Sequence, residues 1–106
     1  MALKAAFIFL APNTDPKVHS SIIKTEAVEL MTIGVADYKM ACGVAEELME
    51  QGIGAIELCG GFGNTGVSLV TEAVKGKIPV GTVRFDIHPG LGNRSGDSVF
   101  LENVYK

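Results

Sequence analysis

The chain has 106 residues, of which 47% are hydrophobic and 20% are charged. This length suits one domain with its own hydrophobic core, and the apolar fraction excludes an intrinsically disordered chain. The formal net charge of −3 argues against a nucleic-acid-binding protein, because such proteins carry basic patches. No apolar run approaches the ~20 residues of a membrane-spanning helix, so no membrane partner is expected.

The cysteines and histidines indicate neither a disulfide framework nor a metal site. Two cysteines, Cys42 and Cys59, cannot by themselves supply the four ligands of a structural zinc site. The two histidines lack the close spacing of metal ligands, so no metal is predicted. The apolar run at residues 5–11 is followed by no cleavage site of a signal peptide. We therefore expect a cytoplasmic protein with reduced thiols.

The first third of the chain predicts a strand, a short helix and a second strand. Residues 3–10 form a short apolar run typical of a buried strand. Asp15 and Pro16 are typical of a helix start, with aspartate as the N-cap, so a short helix through Ile23 is expected. Residues 25–35 fit a helix or a strand by periodicity, and their β-branched end favours a strand.

The clearest helical pattern begins after Asp37, which can cap the helix, and ends at Gly52, which can adopt the left-handed conformation. A strand over residues 55–59 then leads into a glycine-rich segment. A second helix is predicted from about residue 64 to 75, and a last strand over residues 78–85. The buried stripe of the first of these helices is expected to contain Tyr38, Ala41, Ala45 and Leu48.

This order of elements predicts a single α/β domain over residues 1–106. Its core would be a β-α-β-α-β unit with about four strands in a parallel sheet and two main helices. Right-handed crossovers place both helices on one face, whereas parallel sheets are normally covered on both. The short helix, the glycine-rich C-terminal tail (residues 86–106) or a partner subunit would cover the second face. We expect a homo-oligomer, with residues 98–105 as a candidate exchanged arm.

The sharpest motif is the glycine-rich segment between the strand at 55–59 and the following helix. Residues 61–66 match G-x-G-x-x-G, and Asp86 lies 20 residues beyond Gly66. These features are typical of a dinucleotide-binding fingerprint. However, Cys59 and Glu57 stand where such strands carry apolar residues, and no second nucleotide-binding half follows. We therefore predict no cofactor, with a dinucleotide as the alternative.

The same loop suits a small anionic metabolite. Glycine-rich backbone before a helix presents N–H groups and the positive end of the helix dipole. The loop also follows a parallel strand, at the edge where open α/β sheets bind ligands. An arginine of the last strand could pair with a carboxylate or phosphate. Alternatively, the glycines serve only a tight turn. The predicted ligand-binding residues are Gly60, Gly61, Phe62, Gly63, Asn64, Thr65, Arg84 and His88.

Cys59 and Glu57 carry a second hypothesis, a thiol-dependent enzyme. A thiol beside a helix N-terminus can act as a nucleophile or exchange a proton. Strand alternation places Glu57 on the same face as Cys59, where it or Asp86 could act as the base. Cys59 could equally be a small buried residue, and Arg84 could merely neutralise Glu57 or Asp86. A third hypothesis is a structural or interaction module without a ligand.

Several segments resemble a known family. They are Gly34-Val35, the Ala-x-x-Leu helix, residues 52–63 and Ile78-Pro79-Val80-Gly81, and Glu-Leu-Cys-Gly-x-Phe-Gly is the most specific part. The chain resembles a family of short, functionally uncharacterised microbial α/β proteins that is catalogued as a domain of unknown function. The resemblance covers about residues 3–85 and implies a small single-domain α/β fold, with no known activity to carry over. The tail from Ile87 onward lies outside this pattern.

Overall fold

The computed structural model describes residues 2–101 and residue 104, and in them a five-stranded sheet carries two main helices. The strands are β1 (Leu3–Leu10), β2 (Ser20–Lys24), β3 (Val28–Val35), β4 (Ala55–Leu58) and β5 (Val80–Thr82). The helices are α1 (Tyr38–Glu50), α2 (Asn64–Ala73) and the four-residue α3 (Asp97–Phe100), with a 3-10 turn at Pro89–Leu91.

The strand order is β2-β3-β1-β4-β5. The strands β3, β1, β4 and β5 are parallel to one another, and β2 pairs antiparallel with β3 at one edge. The predicted α/β fold with a parallel core is confirmed. The sheet has five strands rather than about four, because β2 was not expected.

The strand β2 replaces the short helix predicted after Asp15 and Pro16, and that prediction is wrong. The Asp15 carbonyl accepts hydrogen bonds from the backbone N–H groups of Val18 and His19, which form a single turn. The chain then becomes extended and pairs residues Ser20–Lys24 with β3. A helix of one or two turns is barely stable by itself, whereas the free edge of β3 offers backbone partners to five residues.

The extents of β3 and β5 are set by the strands with which they pair. Residues Val28–Val35 form the strand that their β-branched end favours, paired along its whole length with β1. The last strand is Val80–Thr82 rather than residues 78–85. It is short because β4 offers it only three paired positions, from Ile56 to Leu58, before the chain turns.

The helix α1 has the predicted boundaries. The Asp37 carboxylate accepts the N–H of Met40 at 2.8 Å, and Gly52 has a φ of +83° just beyond the helix. The predicted stripe is buried and consists of Tyr38, Ala41, Ala45 and Leu48. Together with Val70 and Val74 it packs on the strand side chains Ala6, Ile8, Ile33, Val35, Ile56 and Leu58. These side chains share one face, so both helices cover the same side of the sheet as predicted.

The opposite side of the sheet, here termed the open face, has no helix against it within residues 2–101. The β1 side chains Phe7 and Phe9 and the β3 side chain Leu30 are half-buried there. Leu3 and Ile23 are exposed at 50% and 58%. Apolar side chains of a parallel sheet therefore face solvent in a single chain, where such sheets are normally covered.

The described part of the tail packs on its own chain. The Phe100 ring lies 5.4 Å from the Tyr38 ring, which places α3 beside the start of α1. Of the predicted exchanged arm, residues 102, 103 and 105 lie outside the described residues. Among the helices of the described chain, none combines the length and apolar character needed to cross a bilayer.

Candidate functional site

The candidate site lies at the carboxyl edge of the sheet, where β1 ends at Leu10 and β4 ends at Leu58. The chain turns sharply after β4, since the Phe62 N–H donates to the Cys59 carbonyl at 3.1 Å. This turn returns Phe62 to the core, where it is 2% exposed and stacks on Tyr38 at 5.6 Å. Phe62, predicted to bind a ligand, therefore packs in the core.

The N-terminus of α2 holds a carboxylate that belongs to the same chain. Asp97 Oδ2 accepts the N–H of Thr65 at 2.8 Å, and Asp97 Oδ1 accepts the N–H of Gly66 at 3.1 Å. The Tyr38 hydroxyl donates to Asp97 Oδ1 at 2.8 Å and accepts the N–H of Gly63 at 2.9 Å. In this structure the backbone amides expected to meet an external anion are thus hydrogen-bonded to Asp97 and Tyr38.

The ionisation of these two side chains follows from this network. Burial opposes the charge on Asp97, but hydrogen bonds from Thr65, Tyr38 and Gly66 outweigh it and hold the pKa of Asp97 below its ordinary value. Burial raises the pKa of Tyr38, and the nearby Asp97 raises it further, against the opposing bond from Gly63. Asp97 is therefore an anion at neutral pH, and Tyr38 remains a protonated donor.

The glycines of the G-x-G-x-x-G motif have a packing cause in this chain. A Cβ atom at Gly66 would overlap the Tyr38 ring, and one at Gly63 would overlap the Asp97 carboxyl group. In the tail, a Cβ atom at Gly96 would overlap the carbonyl oxygen of Gly61. The close approach of the tail and of α1 to the loop explains Gly63 and Gly66, and Asp97 fills the position where a fingerprint loop holds its pyrophosphate.

The segment after β5 lies against the same loop. A Cβ atom at Gly60 would overlap the Phe85 ring, and that ring lies 4.9 Å from the ring of His88. Arg84, a predicted ligand residue, instead forms an ion pair with Asp86 at 2.9 Å, with side chains 64% and 74% exposed. Of the two alternative partners expected for Arg84, the structure therefore shows Asp86 and not Glu57.

A cavity of about 410 Å³ opens at the carboxyl edge between the end of β1 and the tail. Its volume lies within the range of small-molecule sites, ~300–1,000 Å³. A smaller cavity of about 230 Å³ lies at the opposite edge, beside Lys4 and Glu29. The larger cavity is the candidate site, because open α/β sheets bind ligands at the carboxyl ends of their strands. Its lining residues are Leu10, Ala11, Pro12, Gly61, His88, Gly90, Leu91, Gly92, Arg94, Val99 and Phe100.

The polar side chains of this cavity stand on one small turn of the tail. The backbone of His88 donates to the carbonyl of Arg94 at 3.0 Å and accepts from Leu91 and Asn93. His88 Nδ1 accepts the N–H of Gly90, which leaves its Nε2 as the position for the proton of the neutral ring. Arg94 Nε donates to the Leu91 carbonyl at 3.0 Å. Both side chains are thus fixed by the turn that carries them.

Cys59 is half-buried just outside this lining. Its Sγ accepts two backbone hydrogen bonds, from Leu10 and from Gly61, each at 3.3 Å. Glu57 is exposed on the open face, where its carboxylate is solvated. Asn64 is exposed at the first position of α2. Within the described residues, no three His, Cys, Asp or Glu side chains are grouped as metal ligands would be.

The family relationship of the chain covers the candidate site except Val99 and Phe100. A family model matches residues 3–98. The chain belongs to the family of unknown function DUF6506. The DUF6506 match confirms the resemblance seen in the sequence and extends it beyond residue 85, so that His88, Arg94 and Asp97 are included. Among curated proteins and among solved structures, no match to the chain was found.

Three polar side chains at the carboxyl edge were missed by sequence reasoning: Tyr38, Arg94 and Asp97. Tyr38 was expected only in the buried stripe, although a buried tyrosine usually requires a hydrogen-bond partner and so gave a usable indication. Arg94 belongs to no motif. Asp97 lies 32 residues from Thr65, and no local pattern links the two.

Proposed function

We propose that this DUF6506 protein binds a small anionic metabolite in the cavity at the carboxyl edge. The observation that carries the proposal is the joint presence of Arg94 and His88 in this cavity. The sequence placed the anion over residues 60–66, but Asp97 occupies the amides there. The cavity beside this loop is of ligand size, and it is lined by the cationic side chain of Arg94 and the ring of His88.

The lining suits a ligand with one anionic group and a short carbon skeleton. A guanidinium can hold a carboxylate or phosphate through two hydrogen bonds. The His88 ring can add a donor at Nε2. Leu10, Pro12 and Phe100 supply the apolar surface that ligand pockets use for a carbon skeleton.

The Asp97 network has a supporting role in this proposal. It fixes the tail to α2 and α1, and the tail carries His88, Arg94 and Phe100. The outer wall of the cavity is therefore held by a charged contact, which keeps the binding groups in place before a ligand arrives. Such preorganisation favours affinity because less ordering is needed on binding.

A thermal-shift screen with small carboxylates and phosphates tests the proposal on the wild type and two arginine variants. A ligand at 100 times its Kd stabilises the folded state by about 2.7 kcal/mol. We expect this stabilisation to disappear in Arg94→Ala and to persist in Arg84→Ala, whose arginine pairs with Asp86 outside the cavity lining. Loss in Arg84→Ala alone would favour the loop position instead. No stabilisation of the wild type would favour a module without a ligand.

A second candidate function is thiol chemistry at Cys59. Its support is the place of Cys59 directly after β4 and before the glycine-rich loop, with two backbone N–H groups donating to its Sγ. Glu57, proposed as the base, lies on the open face, and Asp86 is paired with Arg84. Iodoacetamide labelling across pH in a Cys42→Ser background tests this candidate. A labelling midpoint at or above the reference thiol value of about 8.5 would rule it out.

A further inference from the structure

The open face presents an apolar surface interrupted by one row of polar side chains. On β1, β2 and β3, its apolar members include Phe7, Phe9, Leu30 and Ile23. Of the strand residues that alternation places on this face, Glu57 alone is charged, and it is exposed. A charged residue within an exposed apolar sheet needs a partner if that sheet is to be covered.

The strand register fixes the order of the polar row. Ser21 pairs with Thr32, Thr32 with Phe7, and Phe7 with Glu57. The row therefore runs across the sheet with Phe7 on the central strand, two hydroxyl side chains on one side and the carboxylate of Glu57 on the other. Thr32 and Glu57 thus stand at mirrored positions one strand from β1, and Ser21 lies one strand beyond Thr32.

We propose that a second copy of this chain covers the open face, with the two-fold axis parallel to β1 and passing between the two Phe7 side chains. This axis exchanges the two sides of the row. It places Glu57 of each copy against the partner's Thr32, whose hydroxyl can donate to the carboxylate, with Ser21 one strand beyond. A two-fold through the same point but perpendicular to the strands would place Glu57 against Glu57, and like charges in an interface are unfavourable.

The geometry of packed sheets fits this arrangement. Face-to-face sheets align their strands to within about 30°, so neighbours of the central strand shift by only a few ångströms. Glu57 and Thr32 each lie one strand from β1, where strands are ~4.8 Å apart. The mirrored contacts therefore survive the angle between the two sheets.

The surface area of the single chain also suits a dimer. The accessible surface is 6346 Å² for a mass of 11.2 kDa, whereas an average monomer of that mass exposes ~5,700 Å². The excess, roughly 650 Å², is close to the ~800 Å² that each partner loses in a standard interface. Covering the open face would bring the surface per chain into the ordinary range.

The molar mass in solution tests whether a second copy covers the open face. Light scattering coupled to gel filtration at ~100 μM protein, well above the Kd of ordinary stable dimers, should give a dimer for the wild type. Phe7→Lys should give a monomer. Val18→Lys, a matched apolar-to-lysine change in an exposed turn, should remain a dimer. A monomeric wild type, or a dimeric Phe7→Lys whose melting shows that it is folded, would overturn the proposal.

Two charge variants test the orientation of the two-fold axis, and neither changes a residue of the hydrophobic core. Thr32→Glu places a second carboxylate against Glu57 and should raise the dimer Kd by at least ~10-fold, which corresponds to 1.4 kcal/mol. Adding Glu57→Lys to the same chain should restore most of the affinity, because each new lysine then faces the partner's new glutamate. An unchanged Kd in Thr32→Glu, or no recovery in the double variant, would overturn the axis.

Discussion

Asp97 connects three helices through one carboxylate. It is the first residue of α3, it accepts the N–H groups of Thr65 and Gly66 at the start of α2, and it accepts the hydroxyl of Tyr38 at the start of α1. Gly63, the N-cap of α2, provides no side-chain cap. Asp97 thus supplies from the tail the acceptor that a local N-cap residue supplies in most helices.

Replacing Asp97 should destabilise the protein more than removing a local cap. Asp97→Ala removes an N-terminal acceptor of α2 and leaves the Tyr38 hydroxyl without its acceptor, a loss of about 2 kcal/mol from the free energy of unfolding. Asp37→Ala removes a single hydrogen bond, to Met40, and should cost about 1 kcal/mol. Urea denaturation measures both. Equal costs for the two variants would show that the Asp97 network adds nothing to ordinary capping.

The same carboxylate predicts an acid dependence of stability. The pKa of Asp97 is lower in the folded protein than the ordinary 3.8, so the folded state binds the proton less readily than the unfolded chain. Its stabilisation is complete above the ordinary pKa and is lost as the pH falls through the lower folded value. Urea denaturation of wild type and Asp97→Asn between pH 7 and pH 2 should show their difference shrink below about pH 4. A constant difference would contradict this.

At the scale of elements, local patterns in the sequence predicted α1 and α2, and long-range pairing decided the rest. The cap at Asp37, the buried stripe and the stop at Gly52 are local, so α1 was predictable. β2 exists because β3 offers a free edge, and β5 is short because β4 is short. Neither cause is visible in the residues of the strand itself, which is why the Asp15–Pro16 turn was extended into a helix.

The motif glycines were recognised for the wrong structural cause. Their spacing suggested a loop open to an anion, whereas the tail and α1 fill the space in front of Gly63 and Gly66. The sequence thus located the carboxyl edge as the important region, along with His88 and Gly61 of the cavity. Arg94 and Asp97 were beyond reach, since they enter through the fold of a tail that carries no periodic pattern.

Two helical glycines provide a test of this packing cause. Glycine to alanine within a helix normally stabilises by about 0.5–1 kcal/mol. Gly43→Ala in α1 should do so, because apart from its chain neighbours and the backbone of its own helix no atom lies within 4 Å of the added Cβ. Gly66→Ala in α2 should instead destabilise, since its Cβ overlaps the ring of Tyr38. Thermal denaturation of the two variants compares them directly, and stabilisation by both would show that the ring yields without cost.

At the scale of the whole molecule, the sheet has three distinct surfaces: the face that carries the helices, the open face and the carboxyl edge. The helices bury one face around Ala6 and Ile8, both fully inaccessible. The carboxyl edge carries the cavity and the tail, and within residues 2–101 the open face has no helix against it. Because the cavity lies at the strand ends and the polar row crosses the middle of the sheet, a substitution at Phe7 leaves the lining of the cavity intact.

The topology also predicts how local stability is distributed along the chain. β1 is hydrogen-bonded on both sides, by β3 and β4, whereas β2 is bonded only to β3 and all five of its residues are exposed. Edge strands with little buried surface open locally, below the free energy of global unfolding. Hydrogen exchange followed by mass spectrometry should therefore be at least ~10-fold faster in β2 than in β1, a difference of 1.4 kcal/mol or more in opening free energy.

The Phe7→Lys variant is the control for this gradient. Backbone pairing within one chain is the cause of the difference. The ratio of exchange rates between β2 and β1 should therefore persist in Phe7→Lys, which is expected to be a monomer. Exchange at equal rates in the two strands would mean that the sheet opens only as a single cooperative unit. A ratio that vanishes in Phe7→Lys alone would assign the protection of β1 to the partner rather than to its central place in the sheet order.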